Sequence, residues 1–272
     1  MTRQSRTVAP FIHEGKPSPR RIFADAVRLV ITYPRPCLAP LYAVQLPAAL
    51  VTAVGTLALY ATVFRDKAVV HPADVFSDGD RAQQLWFALF LGVEALFAQV
   101  ARGAAIVSIA AAARGAPIQL KDALDPAFTR MGGLLLIVVL IVLGAGLLIL
   151  LVIGIPVAIY LLIRLSVVFD AYMLEGLSPG DAFGRAWSLT KGKMLSLTGA
   201  LGLGLLAAFP VVIFASAVTA ISAGDRTLQV SLIASLGLVQ IVLVIPALGA
   251  FTALTTLFYL NLKANEHGRY AA

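Results

Sequence analysis

RLSVVFDAYMLEGLSPGDAFGRAWSLTKGK, residues Arg164 to Lys193, decides how the rest of the chain is read. It begins inside an apolar run that ends at Glu175-Gly176. A short amphipathic helix follows, and the next apolar run opens at Met194. Ser178-Pro179-Gly180-Asp181 is a helix start. The Ser178 hydroxyl suits the cap, Pro179 suits the first helical position because an N–H there has no partner anyway, and Asp181 completes a capping-box-like pair. Beyond it Ala182, Phe183, Ala186, Trp187 and Thr190 share one face, while Arg185, Ser188 and Lys191 lie elsewhere. A helix with Trp and Phe on one side and cations on the other suits the lipid headgroup layer. The plainer alternative, a soluble helix packed on a core, does not fit the long apolar runs on either side.

Composition points the same way. The chain is 60% hydrophobic with a mean hydropathy of +0.90. Charged residues make up 13%, about half the share of a soluble protein. The predicted fold class is all-α: a polytopic membrane helical bundle of about six transmembrane helices arranged as three hairpins, each preceded by a short interfacial amphipathic helix. The net charge of +7 is local. Cations gather in the N-terminal segment, in 114–130, in 185–193 and near the C-terminus. The opposite side holds only Arg65, Lys67, Arg81 and Arg226, among Asp66, Asp74, Asp78, Asp80 and Asp225. That asymmetry predicts a multi-pass protein of the cell inner (plasma) membrane with both termini cytoplasmic. The expected counter-charge is anionic lipid headgroups, not nucleic acid. A lone cysteine, Cys37, excludes an intrachain disulfide and is expected to be structural. No cleavable signal peptide is visible, because the first long apolar run begins near Leu38. Abundant Ala, Leu and Gly, with Asn261 and Asn265 the only asparagines, suggest a bacterial, GC-rich genome.

Residues 1–20 read as a flexible basic segment, 21–268 as one transmembrane domain and 269–272 as a tail. Spans are expected over Leu38 to Phe64, with possible kinks at Pro40 and Pro47, and over Leu85 to Ala113, opening at Trp86. Gly132 to Leu174 is too long for one crossing of ~20 residues and suits two. Gly154-Ile155-Pro156 is the preferred turn, and Gly144 to Gly146 the second choice. Met194 to Ala220 is the fifth span, with Ser196, Ala200, Gly204 and Ala208 as a close-packing stripe. Leu228 to Leu262 exceeds one straight crossing, so tilt or a break at Pro246 must absorb the excess. Three amphipathic segments share a pattern: Asp25-Ala26-Val27-x-x-Val30-Ile31, Asp122-Ala123-Leu124-x-x-Ala127-Phe128 and Asp181-Ala182-Phe183-x-x-Ala186-Trp187. The unit reads as an interfacial helix plus a hairpin, used three times.

These residues also carry a resemblance. Gly115-Ala116-Pro117-Ile118-x-Leu120-x-Asp122-Ala123-Leu124, then Arg164, then Leu174-Glu175-Gly176-Leu177-Ser178-Pro179 with Ala182 and Trp187-Ser188-Leu189-Thr190-Lys191-Gly192, resemble the glycerophosphoryl diester phosphodiesterase membrane-domain family. Tyr259-Leu260-Asn261-Leu262-Lys263, with Glu266 and Gly268, is similar too, with Asn261 where relatives often carry an acid. The resemblance covers the chain from about Phe23 onward. It implies a multi-span inner-membrane domain, fused in some proteins to a soluble phosphodiesterase. The metal-binding residues of that enzyme have no counterpart here: His13, His71 and His267 stand in no metal-ligand pattern with acids. No catalytic residue, cofactor or metal ligand is therefore assigned.

Ionisable groups inside spans are the functional lead, because each is costly there. Glu94 and Arg164 are expected at similar depth and as a pair. Arg102 and Asp170 form a deeper candidate pair. The plain reading of all four is structural ion pairing, or snorkelling for Arg102. Glu175, Ser178, Pro179 and Trp187 make up the interfacial motif. Gln45, Gln99 and Gln240 are candidates for hydrogen bonds between helices. Gly199-x-x-Gly202-x-Gly204 lies in an apolar span and not after a strand, so a nucleotide loop is rejected. Ser166, Ser196 and Thr198 have no histidine base in view. The expected role is non-enzymatic: organising membrane or envelope components, or supporting a protein partner. The alternative is a transporter or lipid-handling protein that uses the buried charges. A membrane-embedded enzyme is a distant third.

Overall fold

The computed structural model describes residues 11–13, 18–62, 81–151, 154–221 and 244–270. The described residues form α-helices and no strands. In chain order they are α1 (Pro19–Thr32), α2 (Pro34–Thr62), α3 (Arg81–Ala113), α4 (Leu120–Thr129), α5 (Met131–Leu150), α6 (Gly154–Leu165), α7 (Val168–Glu175), α8 (Pro179–Thr190), α9 (Met194–Ile221) and α10 (Ile245–Tyr270). Four stretches are long and apolar enough to cross a membrane: Gly92–Ala113, Met131–Leu150, Gly154–Glu175 and Ile245–Glu266. A fifth is added if α8 and the first part of α9, bent by 103° across residues 191–193, count as one.

The middle of the bundle is α3 and α10. α3 packs on α2, α4, α5, α7 and α10, and α10 packs on α1, α2, α7, α8 and α9 as well. Small side chains allow this. Ala101, Ala104, Ala105, Ala112 and Ala113 of α3 are fully buried, so neighbouring backbones approach closely. α10 contributes Leu254, Leu257, Phe258 and Tyr259 to the same core. α5 is the opposite case: 11% of its apolar window is buried, against 72% for α10. Leu140, Leu143, Leu147 and Leu150 face outward, an arrangement compatible with a hydrocarbon surrounding.

α5 ends at Leu150 and α6 begins at Gly154, the preferred glycine, and the two helices pack on each other. The expected stripe on α9 meets α10 at Gly204, where a Cβ would lie 2.8 Å from Leu254. Pro246 stands in the first turn of α10, where a missing N–H costs little, and residues 228–243 of the expected last span lie outside the described residues. So do Asp74, Asp78 and Asp80 of the expected outer side, and the side chain of Trp86.

All three expected amphipathic helices form, as α1, α4 and α8, but their faces are rotated from the expectation. Ala26, Ala123 and Ala182 are buried at equivalent positions, while Ile31, Phe128 and Trp187 at the pattern's last position are exposed. The inner faces are completed by Leu29 and Leu189 instead. Each inner face thus combines small and, in α1 and α8, larger apolar groups, while Ile31, Phe128 and Trp187 are turned outward. Two described residues of the N-terminal segment are held in place. Phe11 is buried edge-on against Tyr33, and His13 is tied to α10.

Candidate functional site

The polar groups that the sequence singles out lie along one broken span. Gly154–Glu175 is continuous in hydropathy but interrupted between α6 and α7 at Ser166-Val167. Arg164 precedes the break, Asp170 follows it by one turn, and Glu175 ends the span.

At Glu175 three helices are tied together. α7 ends there because Gly176 adopts φ 71°, a left-handed cap that a side chain would strain. Arg130 fills the adjoining space and donates to the Tyr172 carbonyl at 2.8 Å, while the Tyr172 hydroxyl donates to the Arg130 carbonyl at 3.2 Å. The turn then delivers Ser178, whose Oγ accepts the Asp181 N–H at 3.2 Å and donates to its carboxylate at 2.6 Å. The expected cap is therefore present, with Pro179 at the first helical position. α8 places Arg185 beside Glu175, with Nε 2.9 Å from Oε2. From α10, Tyr259 donates to Oε1 at 2.5 Å and Lys263 stands 3.1 Å from the same atom. Glu266 accepts from Arg185 at 2.6 Å. One carboxylate thus has donors from two other helices, and Arg185 bridges two carboxylates. The Glu266 carboxylate, with Glu175 behind it, raises the Arg185 pKa, so the guanidinium stays charged.

Arg185, Tyr259, Lys263 and Glu266 carry no site assignment in the sequence reading. Their signal is the spacing Tyr259, Lys263, Glu266: i, i+4 and i+7, one helix face carrying complementary groups. What the spacing cannot give is the distant partner Glu175, 84 residues away from Tyr259.

Arg164 does not pair with Glu94. Its guanidinium donates to the Tyr160 hydroxyl at 2.8 Å, to Thr190 Oγ1 at 3.4 Å and to the Trp187 carbonyl at 3.4 Å. It lies 3.6 Å from the Trp187 ring centroid. The expected pair fails because α8 folds back along α7 and presents its last turn to Arg164, so the arginine is engaged there and not across the bundle by α3. Trp187, expected only as a membrane-interface residue, is therefore also the face on which a buried guanidinium rests. Thr190 completes the seat while donating its own hydroxyl to the Ala186 carbonyl at 2.8 Å. Glu94 is half-buried on α3.

Arg102 and Asp170, expected as the deeper pair, do not close into an ion pair. Arg102 stacks over Phe169 at 4.2 Å. Asp170 is fully buried, and its Oδ1 accepts from Thr256 at 2.7 Å. Its Oδ2 has no partner among the described residues; nor do Ser166 Oγ and Gln99 Oε1. Of the glutamines expected to bond between helices, Gln99 and Gln45 are half-buried on α3 and α2, and Gln240 lies outside the described residues.

At the N-terminal side, the His13 N–H donates to Asn261 Oδ1 at 2.7 Å and the His13 ring meets Asp25 at 2.8 Å. Cys37 is buried beside the Leu29 carbonyl, in keeping with a structural role. Gly199, Gly202 and Gly204 lie within α9, a continuous helix with no phosphate-binding loop. Among the described residues no group of three His, Cys, Asp or Glu could hold a metal. His13 is committed to Asp25 and Arg21, so it is not placed as a base for Ser166. The arrangement's evident chemistry is cohesion: charge-assisted hydrogen bonds between helices at one end of the bundle. The chain matches no family model, no curated protein and no solved structure.

Proposed function

We propose that the chain is a non-catalytic, six-span protein of a bacterial inner membrane, with both termini cytoplasmic, that organises membrane components or supports a protein partner. The observation that carries this is the node at Glu175. The conspicuous charges at this end of the broken span are spent on joining α7, α8 and α10. Around the node, α1, α4 and α8 turn Ile31, Phe128 and Trp187 outward, which suits burial in the headgroup layer beside the flanking cations. Membership of the glycerophosphoryl diester phosphodiesterase membrane-domain family is part of the proposal. It is supported by the convergence of the motif residues Glu175, Tyr259, Lys263 and Glu266, which are far apart in sequence, on one cluster.

The experiment is purification in native nanodiscs followed by mass spectrometry. A reproducible protein partner surrounded by bulk lipid is the expected result. A metabolite or lipid retained by the wild type and lost in a folded Arg164→Ala variant overturns it. A second reading, transport or lipid handling through the bundle, draws on one observation: Asp170 lies one turn after a break in an apolar span with one oxygen unpartnered.

A further inference from the structure

We propose that the cleft between the α1–α2 joint and the loop after α3 binds one anionic phospholipid. Its phosphodiester would sit on Arg35 and an acyl chain would run along the apolar floor. The cleft holds about 750 Å³ and is lined by Tyr33, Arg35, Ala39, Pro40, Ile118 and Leu120, among others. That volume falls in the range of roughly 300–1,000 Å³ typical of sites for organic ligands.

The lining is mostly carbon, with one charge. Arg35 is exposed, no carboxylate lines the cleft, and none among the described residues pairs with it. Pro34, Pro36, Pro40 and Pro117 form much of the wall. Proline has no N–H and a fixed φ, so the wall offers few donors and is already shaped, which lowers the ordering cost of binding. A free phosphate would use only Arg35 and leave the apolar floor wet. A phospholipid matches both halves: its phosphodiester takes the guanidinium fork and its chain takes the floor, and a headgroup without the choline ammonium avoids placing a second cation beside Arg35. Arg114 and Lys121, exposed in the segments that carry the lining residues Pro117 and Leu120, add positive charge nearby against Asp122 and Asp125. The chain's own first ten residues, MTRQSRTVAP, lead into Phe11 beside Tyr33 but carry Arg3 and Arg6 and no acid. Their charge has the wrong sign for Arg35. The proposal rests on the cytoplasmic-headgroup placement of α1 and residues 114–119 given above.

The test places a photo-crosslinking amino acid at Ala39 in the full chain, reconstituted in vesicles of phosphatidylcholine doped with phosphatidylglycerol. The same probe at Ile31, on the outward face of α1, serves as reference. The expected result is selective capture of phosphatidylglycerol at Ala39 and unselective lipid capture at Ile31. Arg35→Gln should cut the selectivity about tenfold, the size of one lost charge-assisted hydrogen bond, and Arg35→Lys should keep much of it. Capture of the chain's own N-terminal peptide at Ala39, or equal capture of both lipids, overturns the cleft proposal while Ile31 still labels lipid. Failure of Ile31 to label lipid overturns the interfacial placement itself. Native mass spectrometry of Ala39→Trp, which fills the cleft with Arg35 intact, should lose the retained phosphatidylglycerol; retention at the wild-type level also overturns the proposal.

Discussion

Two carboxylates on the eight-residue helix α7 are treated in opposite ways. Glu175 ends the helix and receives Tyr259, Arg185 and Lys263. Asp170, little more than one turn earlier, receives Thr256 on one oxygen and has no partner among the described residues on the other. Burial sets the difference. At the end of the span, long cationic side chains reach the carboxylate while their stems cover apolar surface, and partial hydration keeps the cost of charge low. Inside the bundle no cation closes on Asp170, since Arg102 lies over Phe169. A carboxylate satisfied by several donors is a fastening. A carboxylate left half-satisfied in a packed core has no cohesive reason for its second oxygen.

The contrast is most easily broken at Glu175. Glu175→Ala would leave Tyr259, Arg185 and Lys263 without their shared acceptor and should cost about 3 kcal/mol, the low end for breaking a buried pair because the cluster is partly hydrated. Reversible unfolding in mixed micelles would measure it. Glu175→Gln, which keeps one acceptor oxygen, should cost less. A loss under about 1 kcal/mol for the alanine variant, as for an exposed pair, would reduce the node to surface decoration.

Arg164 gives the next largest effect. Arg164→Ala removes the contacts to Tyr160, Thr190 and the Trp187 ring and should destabilise by about 2 kcal/mol. In a Trp86→Phe background the emission of Trp187 should shift with it, since the guanidinium lies against that ring. Arg164→Lys should not restore the spectrum, because an ammonium cannot stack as a plane. An unchanged emission would mean that α8 does not fold back onto Arg164. Smaller again is the start of α8: Ser178→Ala removes the cap that accepts from Asp181 and should cost about 1 kcal/mol, read by the same unfolding measurement.

How much of this the sequence carries depends on the range of the interaction. The Ser178 cap, the turn at Gly154 and the three amphipathic helices are local, and residue order alone places them. The packing stripe through Gly204 is local in spacing, although its partner Leu254 is not. What fails is everything that depends on how elements are brought together. Depth along two helices matches Glu94 with Arg164, but α8 supplies Arg164 with nearer partners. The pattern sets Trp187 and Phe128 beside Ala186 and Ala127, because periodicity identifies an apolar face without saying which neighbour covers it. The break at Ser166-Val167 has no glycine or proline to announce it, and it sits inside an unbroken apolar run.

The finest test returns to Asp170. Asp170→Asn keeps an acceptor for Thr256 and replaces the unpartnered oxygen with an amide that can donate, so stability should stay within about 1 kcal/mol of the wild type. This is the smallest effect expected on the shared helix, and it separates the two roles a buried carboxylate can hold. If the variant is as unstable as Glu175→Ala, Asp170 is a second fastening, with Arg102 as its counter-charge, and the contrast along α7 disappears. If it is as stable as the wild type but loses the partner or cargo retained in nanodiscs, the unpartnered oxygen is the functional atom, and the transport reading gains what the scaffold reading loses. If it is as stable and retains the partner, the oxygen faces an internal hydrogen-bonding site that the amide satisfies equally well, and Glu175 alone explains why this helix carries acids.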